Sequence, residues 1–292
     1  MKKVGIVTDS HSGIGQQEAK EMGIMVLPMP FYFEEECLYE DISITREAFF
    51  EKLNSGIEVT TSQPAPAEVM GLWDKALEIY DEILYIPISS GLSGSCSTSY
   101  AISKEPKYDG RVYVVDAGRV STLLHCAILD ALRLIEEGHS AAAIRDALEN
   151  ARDKMSIYIG VETLEFLKRG GRITPTVATI GTVLNIKPVL KLDVGTLDAY
   201  KNCRGFSKAK KVMIEAMKYE LETQYKGWYQ SKDMYLLAAS SASEEETKQW
   251  IADIEEAFPG FQVMCDNLSL GVCCHTGQGA LGIGFSSKIR IE

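Results

Sequence analysis

Residues 89–95 read Ser-Ser-Gly-Leu-Ser-Gly-Ser. A serine on a strand-to-helix turn is the arrangement of the hydrolase elbow Gly-x-Ser-x-Gly, but the closing position here is Ser95, so the elbow is broken. What survives is a turn whose backbone N–H groups and hydroxyls face a helix N-terminus, and that suits an anion. Thr60-Thr61-Ser62-Gln63-Pro64 is a second hydroxyl cluster. Pro64 and Pro66 are placed to open a helix toward Leu77, and taken alone the cluster reads as a helix cap. His275, in the stretch His275-Thr276-Gly277-Gln278-Gly279, can donate hydrogen bonds to an anion or pack as an ordinary loop histidine; both readings stand.

Other motifs carry less. Gly277-Gln278-Gly279-Ala280-Leu281-Gly282 satisfies the dinucleotide fingerprint by letter, but that motif needs a following βαβ unit and ten residues come after Gly282, so no nucleotide is expected. Cys273 and Cys274 precede His275 without the paired spacing of a metal site, and no metal is expected. Lys168, Arg169 and Arg172 flank Gly170 and Gly171, and Arg204 follows further along. Such a basic island is either a solvated turn or a docking point for an acidic partner or a phosphate.

The elements that must position these residues are legible from periodicity. Val4–Val7, Ile83–Ile86 and Val112–Val115 are short apolar runs of the kind buried on both faces of a parallel sheet. Each is followed by small polar residues: Thr8-Asp9-Ser10, Ser89-Ser90-Gly91 and Asp116-Ala117-Gly118. The carboxyl ends of strands in open α/β sheets line the ligand crevice, so these tips are predicted to converge, although each alone also suits a helix cap. Leu124, Ala127, Ile128, Ala131, Leu134 and Ile135 mark a helix that Gly138 stops. Met22, Met25, Met29 and Met70 read as core gap-fillers.

Beyond about residue 155 the pattern changes. Leu190, Leu192 and Val194 alternate with Lys191 and Asp193, and Gly195-Thr196 offers the turn of an antiparallel hairpin. A helix is predicted from Ser207 to about Tyr225, a strand through Tyr235 to Ala239, a helix opened by the Ser243/Glu246 capping box, and a strand near Phe261 to Cys265. The expected fold is α/β in two domains: a doubly wound, Rossmann-like parallel-sheet domain over residues 1–155 and a mixed-sheet α/β domain over residues 156–292.

Composition narrows the function. The 292 residues carry a formal charge of −11, which disfavours nucleic acid as a partner. The seven cysteines are odd in number and lack Cys-x-x-Cys, so reduced thiols are expected rather than a disulfide framework. The apolar run after Lys2-Lys3 is stopped at once by Thr8, Asp9 and Ser10, and no stretch approaches the length of a membrane span. A soluble, cytoplasmic protein without stable membrane insertion is expected.

Taken in order, Thr8-Asp9-Ser10, Thr61-Ser62-Gln63-Pro64, Ser90-Gly91-Leu92-Ser93-Gly94-Ser95, Leu164 to Ile173, Ile186-Lys187-Pro188-Val189-Leu190 and His275 to Gly279 resemble the DegV family over nearly the whole chain. Ala117 stands where the family often has Ser, and Gln278 where it usually has Pro. The resemblance implies a two-domain α/β protein that encloses one long-chain fatty acid between its domains, with no further cofactor. It also implies that the acid is presented to a separate ATP-dependent fatty acid kinase, whose acyl phosphate feeds phospholipid synthesis. Thr61, Ser62, Ser93, the Gly94 backbone and His275 would hold the carboxylate, and Arg169, Arg172 and Arg204 would face the kinase. A chain of roughly sixteen carbons gains on the order of 12 kcal/mol gross from burial.

Two function classes follow. The first is a carrier without covalent chemistry of its own, expected to be a monomer. The second is a hydrolase or transferase acting on a small anionic substrate, using Ser93 or Ser62 with His275 and Asp9 or Asp116. The broken elbow and the lack of a cofactor loop favour the carrier.

Overall fold

The computed structural model describes residues 2–173, 186–193 and 196–291. They divide into two compact units. The first takes the chain to Arg152, together with Ser269–Gly271 and the residues from Ile289 onward; the second takes Asp153–Leu268 and Val272–Lys288.

In the first unit the strands are β1 (Val4–Asp9), β2 (Met25–Leu27), β3 (Phe31–Phe33), β4 (Glu36–Leu38), β5 (Val59–Thr61), β6 (Glu82–Ile86) and β7 (Val112–Val114). A parallel sheet has the order β2-β1-β6-β7. Alternation along its strands fills two separate cores. Ile6, Leu84 and Ile86 pack with Leu124, Ala127 and Ile128 of the Thr122–Glu136 helix and with Ile144 of the Ala141–Glu149 helix. Val7, Ile83 and Tyr85 pack with Val69 and Trp73 of the Pro66–Leu77 helix and with Cys96 and Ile102 of the Ser95–Ile102 helix. Helices therefore cover both faces, the doubly wound arrangement the apolar runs predict. Met22 packs against the first core, Met25 and Met70 against the second, and Met29 is buried.

A small antiparallel sheet, β4-β3-β5, is absent from the sequence-based expectation. It corrects the reading of Thr60 and Thr61 as cap residues, because both belong to β5, where Thr60 lies opposite Tyr32 and Thr61 opposite Phe31. The helix that follows is opened instead by Glu68, whose Oε2 accepts from the Ala65 N–H at 2.8 Å. The C-terminal residues rejoin this unit because the fully buried Asp130 accepts the Ile289 N–H at 3.0 Å and Ile289 and Ile291 add to the first core.

The second unit is built on a six-stranded sheet. Its strands are β8 (Met155–Gly160), β9 (Ile186–Asp193), β10 (Thr196–Arg204), β11 (Met234–Ser240), β12 (Val263–Asn267) and β13 (Leu281–Ser287), in the order β10-β9-β8-β13-β11-β12. Only β11 and β12 pair in parallel, so the sheet is mixed as expected. The β9–β10 hairpin is present, while Val194 of the predicted alternation and Gly195 of the predicted turn lie outside the described residues. The Phe206–Glu222 helix packs Ala209, Met213 and Met217 on one face of the sheet beside Trp250 and Ile254 of the Glu244–Ala257 helix. That last helix begins with the predicted box: Ser243 Oγ accepts from the Glu246 N–H, and Glu246 Oε2 accepts from the Ser243 N–H, both at 3.2 Å.

Trp250 is fully buried and donates Nε1–H to the Gly282 carbonyl at 2.8 Å, joining helix to β13. Trp250→Ala is expected to remove about 3–5 kcal/mol from the unfolding of this unit, measured by urea denaturation. A loss below about 1 kcal/mol would contradict its place at the centre of the core.

Candidate ligand-binding site

Strand tips of the first unit do converge. Asp9 is fully buried; its Oδ1 accepts from the His11 N–H at 3.0 Å and its Oδ2 from the Ile88 N–H at 2.8 Å. Ser90 donates its hydroxyl to Asp116 Oδ2 at 2.5 Å, and Arg152 pairs with the same oxygen at 3.0 Å. The Ser89 N–H reaches the Arg119 carbonyl at 2.9 Å. These bonds fix the loop from Ser89 to Gly94 between two carboxylates.

Within that loop most donors are spent. The Gly91 N–H binds Ser89 Oγ, the Leu92 and Ser93 N–H groups bind the Ser89 carbonyl, and the Ser95 N–H binds Ser93 Oγ. This corrects the expectation of a turn lined by free N–H groups: the Gly94 N–H is the one in residues 90–95 with no acceptor among the described residues. The exposed Gly94 is the N-cap of the Ser95–Ile102 helix, so its N–H sits where the helix dipole favours negative charge. Ser93 Oγ keeps its proton available while accepting from Ser95.

The second hydroxyl cluster lies against this one. A Cβ built on Gly94 would stand 3.2 Å from Gln63 Oε1, and Thr98 donates its hydroxyl to that same oxygen at 3.1 Å. Gln63 thereby ties the end of β5, with half-buried Thr61 and exposed Ser62, to the N-terminus of the Ser95–Ile102 helix. Gln63, which directly follows Thr61 and Ser62, is thus the residue that links that motif to Ser93 and Gly94, about thirty residues further along.

His275 belongs to the second unit and is pinned there by a different motif. It stands in the last turn of the Leu270–Thr276 helix. A Cβ on Gly170 would collide with Nδ1 and Cε1 of its ring, so the imidazole lies directly on the Gly170 backbone. Gly277, at φ +74°, turns the chain just beyond the helix, and a Cβ there would lie 2.8 Å from the Phe166 ring. Ser241 secures the next residues: its hydroxyl donates to the Gly277 carbonyl at 2.8 Å and accepts from the Ala280 N–H at 2.9 Å. The sequence treated the Arg/Gly island and the histidine loop as separate features; the structure packs one against the other.

The basic residues divide. Arg172 is half-buried and donates to the Gly170 carbonyl at 2.6 Å, bracing the turn under His275. Arg169 is exposed, paired with Glu165 at 2.5 Å, and Arg204 is exposed at the end of β10. Among the described residues no group of acidic, cysteine and histidine side chains has the arrangement of a metal site. No described helix is long and apolar enough to cross a membrane.

Fold and site define a two-unit α/β protein whose clustered donors, hydroxyls and a helix N-terminus, suit a small anionic group. Residues 3–288 match the family model described as an uncharacterised protein, DegV family. A DegV domain-containing protein of Staphylococcus aureus (strain MRSA252) is 30% identical over 99% of this chain and 100% of its own. The chain belongs to the DegV family. A solved structure of a DegV family protein from Thermus thermophilus, described by its fatty acid binding, is 30% identical, covers 98% of this chain and 99% of its own, and superposes with a TM-score of 0.85. DegV from Bacillus subtilis, described as a fatty acid binding protein, is 27% identical over 99% of this chain and 100% of its own, with a TM-score of 0.84.

The close approach of ring and backbone gives a direct test. Gly170→Ala is expected to displace the imidazole, shifting the His275 ring resonances and costing about 1–3 kcal/mol of stability. Unchanged ring resonances would contradict the packing described.

Proposed function

We propose that the protein is a carrier that binds one long-chain fatty acid and performs no covalent chemistry of its own. The carboxylate is received by the Thr61, Ser62 and Ser93 hydroxyls, the Gly94 N–H and the His275 imidazole. The observation that carries this reading is the Gln63 junction, which ties the residue following Thr61 and Ser62 to an unspent N–H at a helix N-terminus beside Ser93. A carboxylate leaving water needs such donors, because an unsatisfied buried charge costs many kcal/mol. The fatty acid binding described for the Thermus thermophilus and Bacillus subtilis relatives supports the same ligand class.

The commitments of the two carboxylates weigh against hydrolytic chemistry. Asp9 spends both oxygens on backbone N–H groups, and Asp116 is held by Ser90 and Arg152. A serine–histidine pair draws its reactivity from a carboxylate that orients the base, and these two serve the loop instead.

The loaded carrier delivers the acid to a separate ATP-dependent fatty acid kinase, in the cytoplasm and as a monomer, for phospholipid synthesis. Arg169, Arg172 and Arg204 form the basic side offered to that partner, with the exposed Arg169 and Arg204 making the contact and Arg172 holding the turn.

His275→Ala is expected to weaken binding of palmitate about tenfold, read by competition with a fluorescent fatty acid analogue, while the melting transition is retained. Equal affinity would remove His275 from the carboxylate site. Arg169→Glu with Arg204→Glu is expected to leave that affinity intact and to depress kinase-dependent acyl phosphate formation; loss of lipid binding instead would move these arginines from the partner surface to the ligand.

A further inference from the structure

The seven-residue Leu270–Thr276 helix is too short to be stable alone, so it depends on its cap as well as on its buried contacts. Its first N–H groups have no partner within the helix. The Leu270 N–H is taken by Glu40 Oε2 at 2.9 Å, a side chain 230 residues earlier in the chain. A second restraint lies next to it. A Cβ on Gly271 would stand 2.7 Å from His11 Nε2, so the His11 ring rests on the backbone of the helix's first turn. His11 is itself buried, with Nδ1 3.5 Å from Asp9 Oδ1. His275 stands at the far end of the same helix.

We propose that Glu40 is a positioning residue for His275: its carboxylate caps the helix that carries the imidazole, so the hold on a bound carboxylate follows the charge on Glu40. The proposal rests on the fatty acid reading above for its ligand and on the Glu40–Leu270 geometry for its mechanism. A charged acceptor makes a markedly stronger cap than a neutral one, both as a hydrogen bond and against the helix dipole.

The surroundings of Glu40 raise its ionisation into the physiological range, burial first. Burial pushes it up to about 7, the Leu270 N–H draws it back, Asp41 raises it, and Arg46 and His11 lower it. The folded protein therefore holds this proton more tightly than the unfolded chain does. On Glu40's account, global stability is fullest below the ordinary carboxyl range and falls as pH rises through about 7, while the cap on Leu270 strengthens over the same interval. A carboxylate kept at a stability cost is the pattern expected of a group with a functional task.

Glu40→Gln keeps the shape and an acceptor but removes the charge. Palmitate affinity and amide exchange across residues 272–276 are compared between the parent and this variant from about pH 6 to about pH 8. Comparing the two proteins at each pH cancels the titration of the fatty acid and any other common to both. At the upper end the variant is expected to bind about tenfold more weakly and to exchange these amides correspondingly faster, with both differences closing as pH falls through about 7 and with no lower melting temperature. A difference that is the same at every pH, or a lowered melting temperature with uniform loss, would reduce Glu40 to a structural role and overturn the proposal. Unchanged amide exchange would overturn it whatever the lipid data show. A parent protein that fails to bind palmitate would refute the fatty acid reading instead, while amide exchange would still decide whether Glu40 holds the helix.

Discussion

The carboxylate of Asp9 is fully buried at the end of the first strand, and it survives there because each oxygen accepts a backbone N–H, from His11 and from Ile88. A buried carboxylate without such donors would be prohibitively costly. Much of the first unit follows from this one solution. The bond to Ile88 joins β1 to the outlet of β6, and so fixes where the Ser89–Gly94 loop starts. The bond to His11 shapes the turn that lays an imidazole on Gly271. One side chain thereby organises both the hydroxyl loop and the dock for the Ser269–Gly271 return.

The candidate site is economical in its donors. The loop spends nearly all its N–H groups on its own fold and leaves the Gly94 N–H at the head of a helix, with Ser93, Thr61 and Ser62 nearby through Gln63. Pre-spent donors make a rigid loop, and a rigid loop loses less entropy than a mobile one when a ligand binds. In the second unit, by itself, His275 is also fixed by its neighbours, with Gly170 against its ring, Arg172 bracing Gly170 and Ser241 fastening the following turn. Replacing a glycine in this part of the molecule acts on the histidine as much as on the backbone.

Much of the architecture was legible in the sequence because it depends on local periodicity. The continuous runs around Val4, Ile83 and Val112 and the 3.6-residue pattern from Leu124 to Ile135 have one sensible burial each. The β3–β5 sheet was not legible, since strands of three residues carry no readable period, and Thr60-Thr61 then passed for a cap. The candidate site residues could be read only as residue types in motifs. The contacts that organise it, Gly170 on His275 and Glu40 on Leu270, span about 100 and 230 residues, and no local pattern encodes them.

On the proposed reading these donors hold a fatty acid carboxylate. Native mass spectrometry of the purified protein, followed by denaturation and lipid analysis of what is released, tests it most directly. One fatty acid of about fourteen to eighteen carbons per chain is expected, in keeping with a ligand whose affinity comes from buried methylenes. A protein that emerges free of lipid and does not take up fatty acid when loaded would contradict it.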